Sequence, residues 1–227
     1  QNFVPTEDST VILRLRDAGS VLLGKLNLSE LAMGGTQNPH WGIPANPWSF
    51  DCSPGESSSG SGVALAAHLC AASMGEDTGG SGRGPASYCG VVGLRPTFTR
   101  VSRYGMTHMC WFMDAAAPMT KTVEDCAVML GVIAGYDEKD PYTSRQPVPD
   151  YTAKMRGGLK GLRVGLIKEL HETDDMHPDV RSAIDSSLDK FRELGAEVKE
   201  VSIPLSELAG AIFVGIADTE GAGARDE

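Results

Sequence analysis

Apolar and polar positions fall into blocks along this chain, and the blocks predict an order of elements. Residues 8–19 read as a helix: Asp8 or Ser9 caps it, Val11, Leu13 and Leu15 supply apolar contacts, and Gly19 stops it. Ser20 to Leu26, centred on Val21-Leu22-Leu23, reads as a buried strand. Ser29 to Met33 predicts one more helical turn, ended by Gly34-Gly35. Residues 36–55 are polar and rich in Pro, Asn and Gly, which predicts a long ordered loop of the kind that usually carries function. Ser57-Ser58-Ser59-Gly60-Ser61-Gly62 then runs into Val63-Ala64-Leu65-Ala66-Ala67. This reads as a hydroxyl-rich turn opening a helix of small residues, with Ser57 or Ser58 as its cap.

A second glycine cluster occupies Asp77 to Pro85, and Val91 to Pro96 predicts a short buried strand stopped by proline. Thr122-Val123-Glu124-Asp125 resembles a capping box, with Val128, Leu130 and Ile133 continuing a helix to Gly135. Residues 136–158 read as a polar connector. Leu162 to Ile167 reads as a strand, Pro178 to Leu194 as an amphipathic helix with Val180, Ile184, Leu188 and Phe191 on one face, and Val198 to Ile203 as the returning strand. Together these make a β-α-β unit with parallel strands, hence an α/β fold. No internal repeat or low-complexity tract interrupts the pattern.

Composition narrows the function classes. The 227 residues carry 20 Lys and Arg against 30 Asp and Glu, a net charge of −10. That balance opposes nucleic acid or an anionic membrane as the main partner. The longest apolar runs, such as Val63 to Leu69, fall far short of the ~20 residues that span a bilayer. The chain begins at Gln1 and ends at Glu227 just after an apolar stretch, so it is expected to be a segment of a longer polypeptide, and a removed targeting peptide stays open. The five cysteines are odd in number, widely spaced and never C-x-x-C, as expected of reduced, mostly buried thiols in a cytoplasmic protein.

Two serine-rich clusters remain as candidate chemistry. A serine hydroxyl is a poor nucleophile at neutral pH; it needs a proton acceptor, and the tetrahedral intermediate needs donors for its oxyanion. Thr78-Gly79-Gly80-Ser81 offers several backbone N–H groups around one carbonyl oxygen, with no Cβ on the glycines to block approach. A loop that only turns the chain is the plain alternative. No G-x-x-x-x-G-K-[ST] or G-x-G-x-x-G motif is present, and Arg83 stands where a G-x-S-x-G elbow needs its last glycine. The five histidines lie in no recognisable catalytic motif or paired metal-ligand spacing, so neither a metal nor a cofactor is expected.

The run Pro54-Gly55-Glu56-Ser57-Ser58-Ser59-Gly60-Ser61-Gly62, followed by Gly75-Glu76-Asp77-Thr78-Gly79-Gly80-Ser81-Gly82-Arg83-Gly84-Pro85-Ala86, resembles the amidase signature. So do Leu23 to Asn27, Asn46-Pro47-Trp48, Cys89 to Thr97, Val101 to Gly105 and Pro118 to Asp125, in order over roughly residues 4–205. The resemblance implies an α/β/α sandwich around a mixed, twisted sheet, with residues 1–227 forming part of a single domain. It implies hydrolysis of a linear amide-type C–N bond in an amide or a carbamate (urethane), with an ester C–O bond as a further possible substrate, through a Ser–cis-Ser–Lys triad and an acyl-enzyme. Ser81 matches the nucleophile and Ser57, 24 residues earlier, the bridging serine. Thr78, Gly79, Gly80 and Ser81 match the oxyanion donors, and Met33, Gly34 and Gly82 are candidates for the substrate pocket.

The family's lysine lies upstream of any segment present here, and Lys25 matches a different position. By that resemblance, residues 1–227 alone would be inactive. Glu56 stands where the family usually has glycine. Gly82 replaces a branched residue and is expected to widen the pocket beside the nucleophile; Gly82-Arg83 also occurs in allophanate hydrolases, which keeps urea derivatives in view. A partner-dependent alternative is an amidase-type component such as the A subunit of glutamyl-tRNA amidotransferase. The expected partners are a small amide or carbamate, the remainder of the polypeptide and, as an open possibility, a second copy of the chain. Asp77 and Arg83 are expected to pair and hold the loop, Cys89 to pack beneath Ser81, and Trp41, Trp48 and Trp111 to pack in the core, with the shaping of an apolar pocket as the alternative.

Overall fold

The computed structural model describes residues 4–33, 38–153 and 155–223. The chain divides into two compact units, Gln1–Ala153 with Ala217–Glu227, and Lys154–Ile216.

In the first unit, helix α1 spans Thr10–Asp17, and the Ser9 hydroxyl accepts from the Ile12 N–H as its cap. A 3-10 turn follows at Glu30–Ala32. Helix α2 spans Ser59–Ala66, so the small-residue helix begins inside the serine run itself. Strand β1 (Ala72–Glu76), helix α3 (Arg83–Cys89), strand β2 (Val92–Gly93), strand β3 (Ala116–Thr120) and helix α4 (Val123–Ile133) complete the frame. The three strands pair antiparallel in the order β1-β3-β2. Every residue of β3 is buried, Pro118 included. Pro118 has no N–H to give, yet its carbonyl accepts from Leu94 at 3.1 Å.

Two apolar clusters hold this sheet. Val11, Val101, Ala116, Leu130, Ile133 and Ala134 join α1 and α4 to β3. Leu65, Ala86 and Met119 join α2 and α3 to its other side. Burying one such side chain contributes about 1.5–3 kcal/mol. Thr122 caps α4: its hydroxyl accepts from the Asp125 N–H at 3.1 Å and donates to the Asp125 carboxylate at 2.7 Å.

The second unit is the β-α-β motif. Strands β4 (Arg163–Ile167) and β5 (Glu197–Val201) pair in parallel, and the crossover carries α5 (Lys168–His171) and α6 (Pro178–Glu193). Proline at the first turn and Asp179 beside it suit a helix start. Helix α7 spans Ala209–Gly223.

Three sequence expectations need correction. Ser20–Leu26 forms no strand: among the described residues no segment pairs with it, and Val21, Leu22 and Leu23 are exposed by 81, 69 and 73 %. A strand needs a neighbour to take its N–H and C=O groups, and apolar character alone does not supply one. Ser58 stands at the N-cap of α2 but does not cap it, because its hydroxyl bonds the backbone of Glu76 on β1 instead. Trp41, Trp48 and Trp111 lie at the surface rather than in the core. The Trp48 ring N–H donates to the Cys89 carbonyl at 2.7 Å, which fixes the indole against the loop it covers.

Candidate active site

Hydrogen bonds from α2 bring the two serine clusters together. The Ser58 N–H donates to the Ser81 carbonyl at 3.3 Å, and the Ser58 hydroxyl bridges the N–H and C=O of Glu76 at 3.0 and 3.2 Å. The Ser61 hydroxyl donates to the Met74 carbonyl at 2.8 Å, so α2 is stitched along β1 by its serines. Glycine allows these approaches. A Cβ at Gly60 would lie 2.2 Å from the Asn27 carbonyl oxygen, and one at Gly75 2.9 Å from the Ser58 hydroxyl.

Ser57 and Ser81 are both buried. Ser57 receives the Ser29 N–H on its carbonyl at 3.1 Å, but its hydroxyl is buried with no hydrogen-bond partner. The Ser29 and Ser59 hydroxyls and the Asn27 side-chain oxygen are likewise unsatisfied. Asn27 and Ser29 lie on the segment that bonds Gly60 and Ser57, so these polar atoms share one neighbourhood. Buried polar groups without partners are rare, and a knot of them marks a site built for a further donor or acceptor. The peptide bonds of the described residues are all trans, including those flanking Ser57, in contrast to the cis bond that the family resemblance implies. A non-proline peptide bond favours trans by about 3 kcal/mol, and the Ser57–Ser58 unit makes both of its backbone hydrogen bonds in that form.

The Ser81 loop is organised around the fully buried Asp77. Its carboxylate accepts from the N–H groups of Gly80, Gly82 and Arg83 at 3.0, 3.3 and 3.1 Å and from the Arg83 guanidinium at 2.9 and 3.0 Å. Arg95 approaches the same carboxylate at 3.2 Å. Burial by itself pushes the Asp77 carboxyl up, but the Arg83 hydrogen bonds and the two guanidinium charges outweigh it and leave it below the usual carboxylate value. The expected Asp77–Arg83 pair is therefore present.

This arrangement sorts the nest. Gly80 has φ +134°, a conformation that favours glycine, and its N–H is engaged by Asp77. Thr78, Gly79 and Ser81 are not among the donors to that carboxylate, and Gly79 faces solvent. Gly82 does not open a pocket as expected. A Cβ there would lie 2.5 Å from Ala117 Cβ and 3.3 Å from Asp77 Cβ, so the space is already filled by β3 and by the loop's own anchor.

Met33 ends the 3-10 turn, half-buried, while Gly34 lies outside the described residues. Lys25 and Glu56 are exposed. Cys89 is buried with its thiol against the Pro54 carbonyl at 3.4 Å, and all five cysteines are free thiols. A cavity of about 450 Å3 is lined by residues including Arg103, His108, Trp111, Lys139 and Tyr142, and not by either serine. Among the described residues no cluster of His, Cys, Asp and Glu could hold a metal ion, and no helix is long and apolar enough to cross a membrane.

Sequence reasoning missed Asp114 and Glu76. Asp114 is fully buried and accepts from the Thr78 hydroxyl at 2.6 Å and from the Met109 and Cys110 N–H groups at 2.8 and 3.0 Å, with His108 Nδ1 at 3.5 Å. No local pattern marks it, because its partner Thr78 lies 36 residues away.

The amidase family model matches residues 1–227. This chain belongs to the amidase family. The amidase signature fold is that of its solved neighbours. The A subunit of the glutamyl-tRNA(Gln) amidotransferase of Thermotoga maritima superposes with a TM-score of 0.94 at 37% identity, over 98% of this chain and 49% of that one. The peptide amidase of Stenotrophomonas maltophilia gives 0.88 at 37% identity, over 99% and 47%. Among curated relatives, the A subunit of the glutamyl-tRNA(Gln) amidotransferase of Geobacter sulfurreducens is 49% identical over 220 residues, 96% of this chain and 45% of the relative. The chain thus spans about half the length of the relatives it matches.

Proposed function

We propose that the polypeptide carrying this chain is a serine amidase that hydrolyses a small amide or carbamate through an acyl-enzyme, with Ser81 as nucleophile and Ser57 as proton relay. The observation that carries this reading is the Ser58–Ser81 backbone bond, which joins the two serine clusters beside the unpartnered hydroxyl of Ser57. In the relay, Ser57 passes its own proton to a neutral lysine and takes the Ser81 proton as Ser81 attacks the carbonyl carbon; Ser57 then gives a proton to the leaving amine and regains one from the lysine, and water repeats the sequence on the acyl-enzyme. The N–H groups of Thr78, Gly79 and Ser81 stabilise the oxyanion, while Gly80 braces the loop through Asp77. The ultimate base is a lysine outside these residues, and the unsatisfied polar atoms around Ser57 suit its arrival. The reading assigns the enzyme to the cytoplasm.

A second reading is favoured by the relatives that are amidotransferase A subunits. In it the chain belongs to an amidase-type component that acts within a complex. One experiment separates the two. The full-length polypeptide, purified alone, is assayed on 4-nitroacetanilide and an aryl carbamate. Turnover that vanishes in Ser81→Ala supports the stand-alone enzyme, and turnover surviving that substitution rules out the serine mechanism. Inactivity alone, together with a stoichiometric copurifying partner that restores activity, supports the complex-dependent reading.

A further inference from the structure

One hydroxyl lies between two carboxyl groups under the nest. The Thr78 Oγ1 contacts Glu76 Oε1 and, at 2.6 Å, Asp114 Oδ1. A hydroxyl has a single proton to donate, so it satisfies one carboxylate only. If both groups were ionised, two lone-pair acceptors would face each other across that oxygen. One carboxyl therefore carries a proton and donates it to Thr78.

The surroundings decide which. Asp114 accepts from Thr78 and from the Met109 and Cys110 N–H groups, a donor set suited to an ionised carboxylate, with His108 Nδ1 3.5 Å away. Glu76 has Thr78 alone; its Oε2 is buried without a partner. The charges around Glu76 are Asp77 next to it on the chain, Asp114 ahead of β3, and Arg95 after β2, which is itself engaged with Asp77. Arg83 faces Asp77 rather than Glu76.

We propose that Glu76 is held as a neutral carboxylic acid that donates to Thr78, and that the chain Glu76–Thr78–Asp114 positions the backbone nest at residues 78–81. Glu76 is thus a positioning residue, and its role rests on the reading of that nest as the oxyanion site. The titration behaviour agrees: burial pushes the Glu76 carboxyl up to about 7, the Thr78 contact opposes this, Asp114 and Asp77 add to it, and Arg95 opposes it. The sign follows directly. The folded value lies above the ordinary one, so the contribution to stability is complete below the ordinary carboxylate range and is lost as pH rises towards about 7. Ionisation also leaves Glu76 and Asp114 facing one proton, which loosens the Thr78 side of the nest. No step of the serine relay uses this carboxyl, so it acts as a built-in alkaline limit on the site.

The test uses the full-length polypeptide and its Glu76→Gln variant, whose amide keeps a donor for Thr78 without a proton to lose. Two readouts are followed at about pH 6 and about pH 8: the melting temperature and the rate at which diisopropyl fluorophosphate labels Ser81. The protonated fraction of a group titrating near 7 falls roughly tenfold over that interval. The wild-type labelling rate, divided by that of Glu76→Gln, is expected to fall by about the same factor, and the wild type alone is expected to lose melting temperature. Equal pH dependence in the two proteins overturns the proposal. Asp114→Asn is the second variant: removal of the like charge moves the wild-type transition to lower pH, and an unmoved transition also overturns it. A wild type that is not labelled at any pH, either alone or with a copurifying partner, overturns the serine reading on which the nest's role depends, while the melting comparison still decides the state of Glu76.

Discussion

The residue that matters most to the Ser81 loop is one that touches no substrate in the proposed chemistry. Asp77 is a fully buried carboxylate with three backbone N–H donors and two guanidinium groups around it. Removing it leaves the N–H groups of Gly80, Gly82 and Arg83 without their acceptor, while Arg95 keeps the Asp77, Thr78 and Met113 carbonyls but loses its counter-charge. Leaving buried amides without an acceptor costs about 1–3 kcal/mol. Asp77→Ala is therefore expected to destabilise the protein by that amount, whereas Arg83→Ala costs much less: the Arg83 side chain is half-exposed and Arg95 remains. Denaturant titration of both variants checks the difference, and equal losses would mean that Asp77 is not the organising group.

Between elements, the decisive contact is the one that joins the nest to β3. Gly82 sits against Ala117 in a strand buried along its whole length. A branched residue at 82 has no room, and overpacking of this kind costs about 1–3 kcal/mol. Gly82→Ile is expected to lower both the melting temperature and the labelling of Ser81, and Ala117→Gly, which removes the opposing Cβ, is expected to restore part of each in the double variant. If the double variant is no better than the sum of the singles, the clash lies elsewhere. The same contact explains why a glycine that suggests a wider pocket in the sequence acts instead as a packing joint.

On the scale of the molecule, the notable feature is the exposed run Val21-Leu22-Leu23, together with coverage of only about half of each relative. Contiguous exposed apolar surface marks contact with another surface. Residues 1–227 expressed alone are expected to bind a hydrophobic dye strongly and to self-associate, while the full-length polypeptide does neither. Light scattering and dye fluorescence on the two proteins test this, and identical behaviour would show that the run is exposed in the whole protein as well.

Local chemistry was readable in the sequence wherever the signal was local. The Thr122 cap, the α6 helix and the parallel β-α-β unit each depend on residues a few positions apart, and each stands where the pattern put it. The family's serine spacing was equally visible. Strands β1 and β3 were not: Ala-Ser-Met-Gly-Glu and Ala-Ala-Pro-Met-Thr lack alternation and hold one β-branched residue, Thr120, between them, since burial and pairing rather than propensity make them strands. Nor was the shared hydroxyl legible, because Glu76, Thr78 and Asp114 meet only when β1 pairs with β3 and brings residues 36 positions apart within hydrogen-bond reach. The sequence alone determined the order and spacing of the serines and glycines in the Ser81 loop. The tertiary structure decided what lies beneath it, because a proton shared among distant groups depends on distances in space rather than on spacing along the chain.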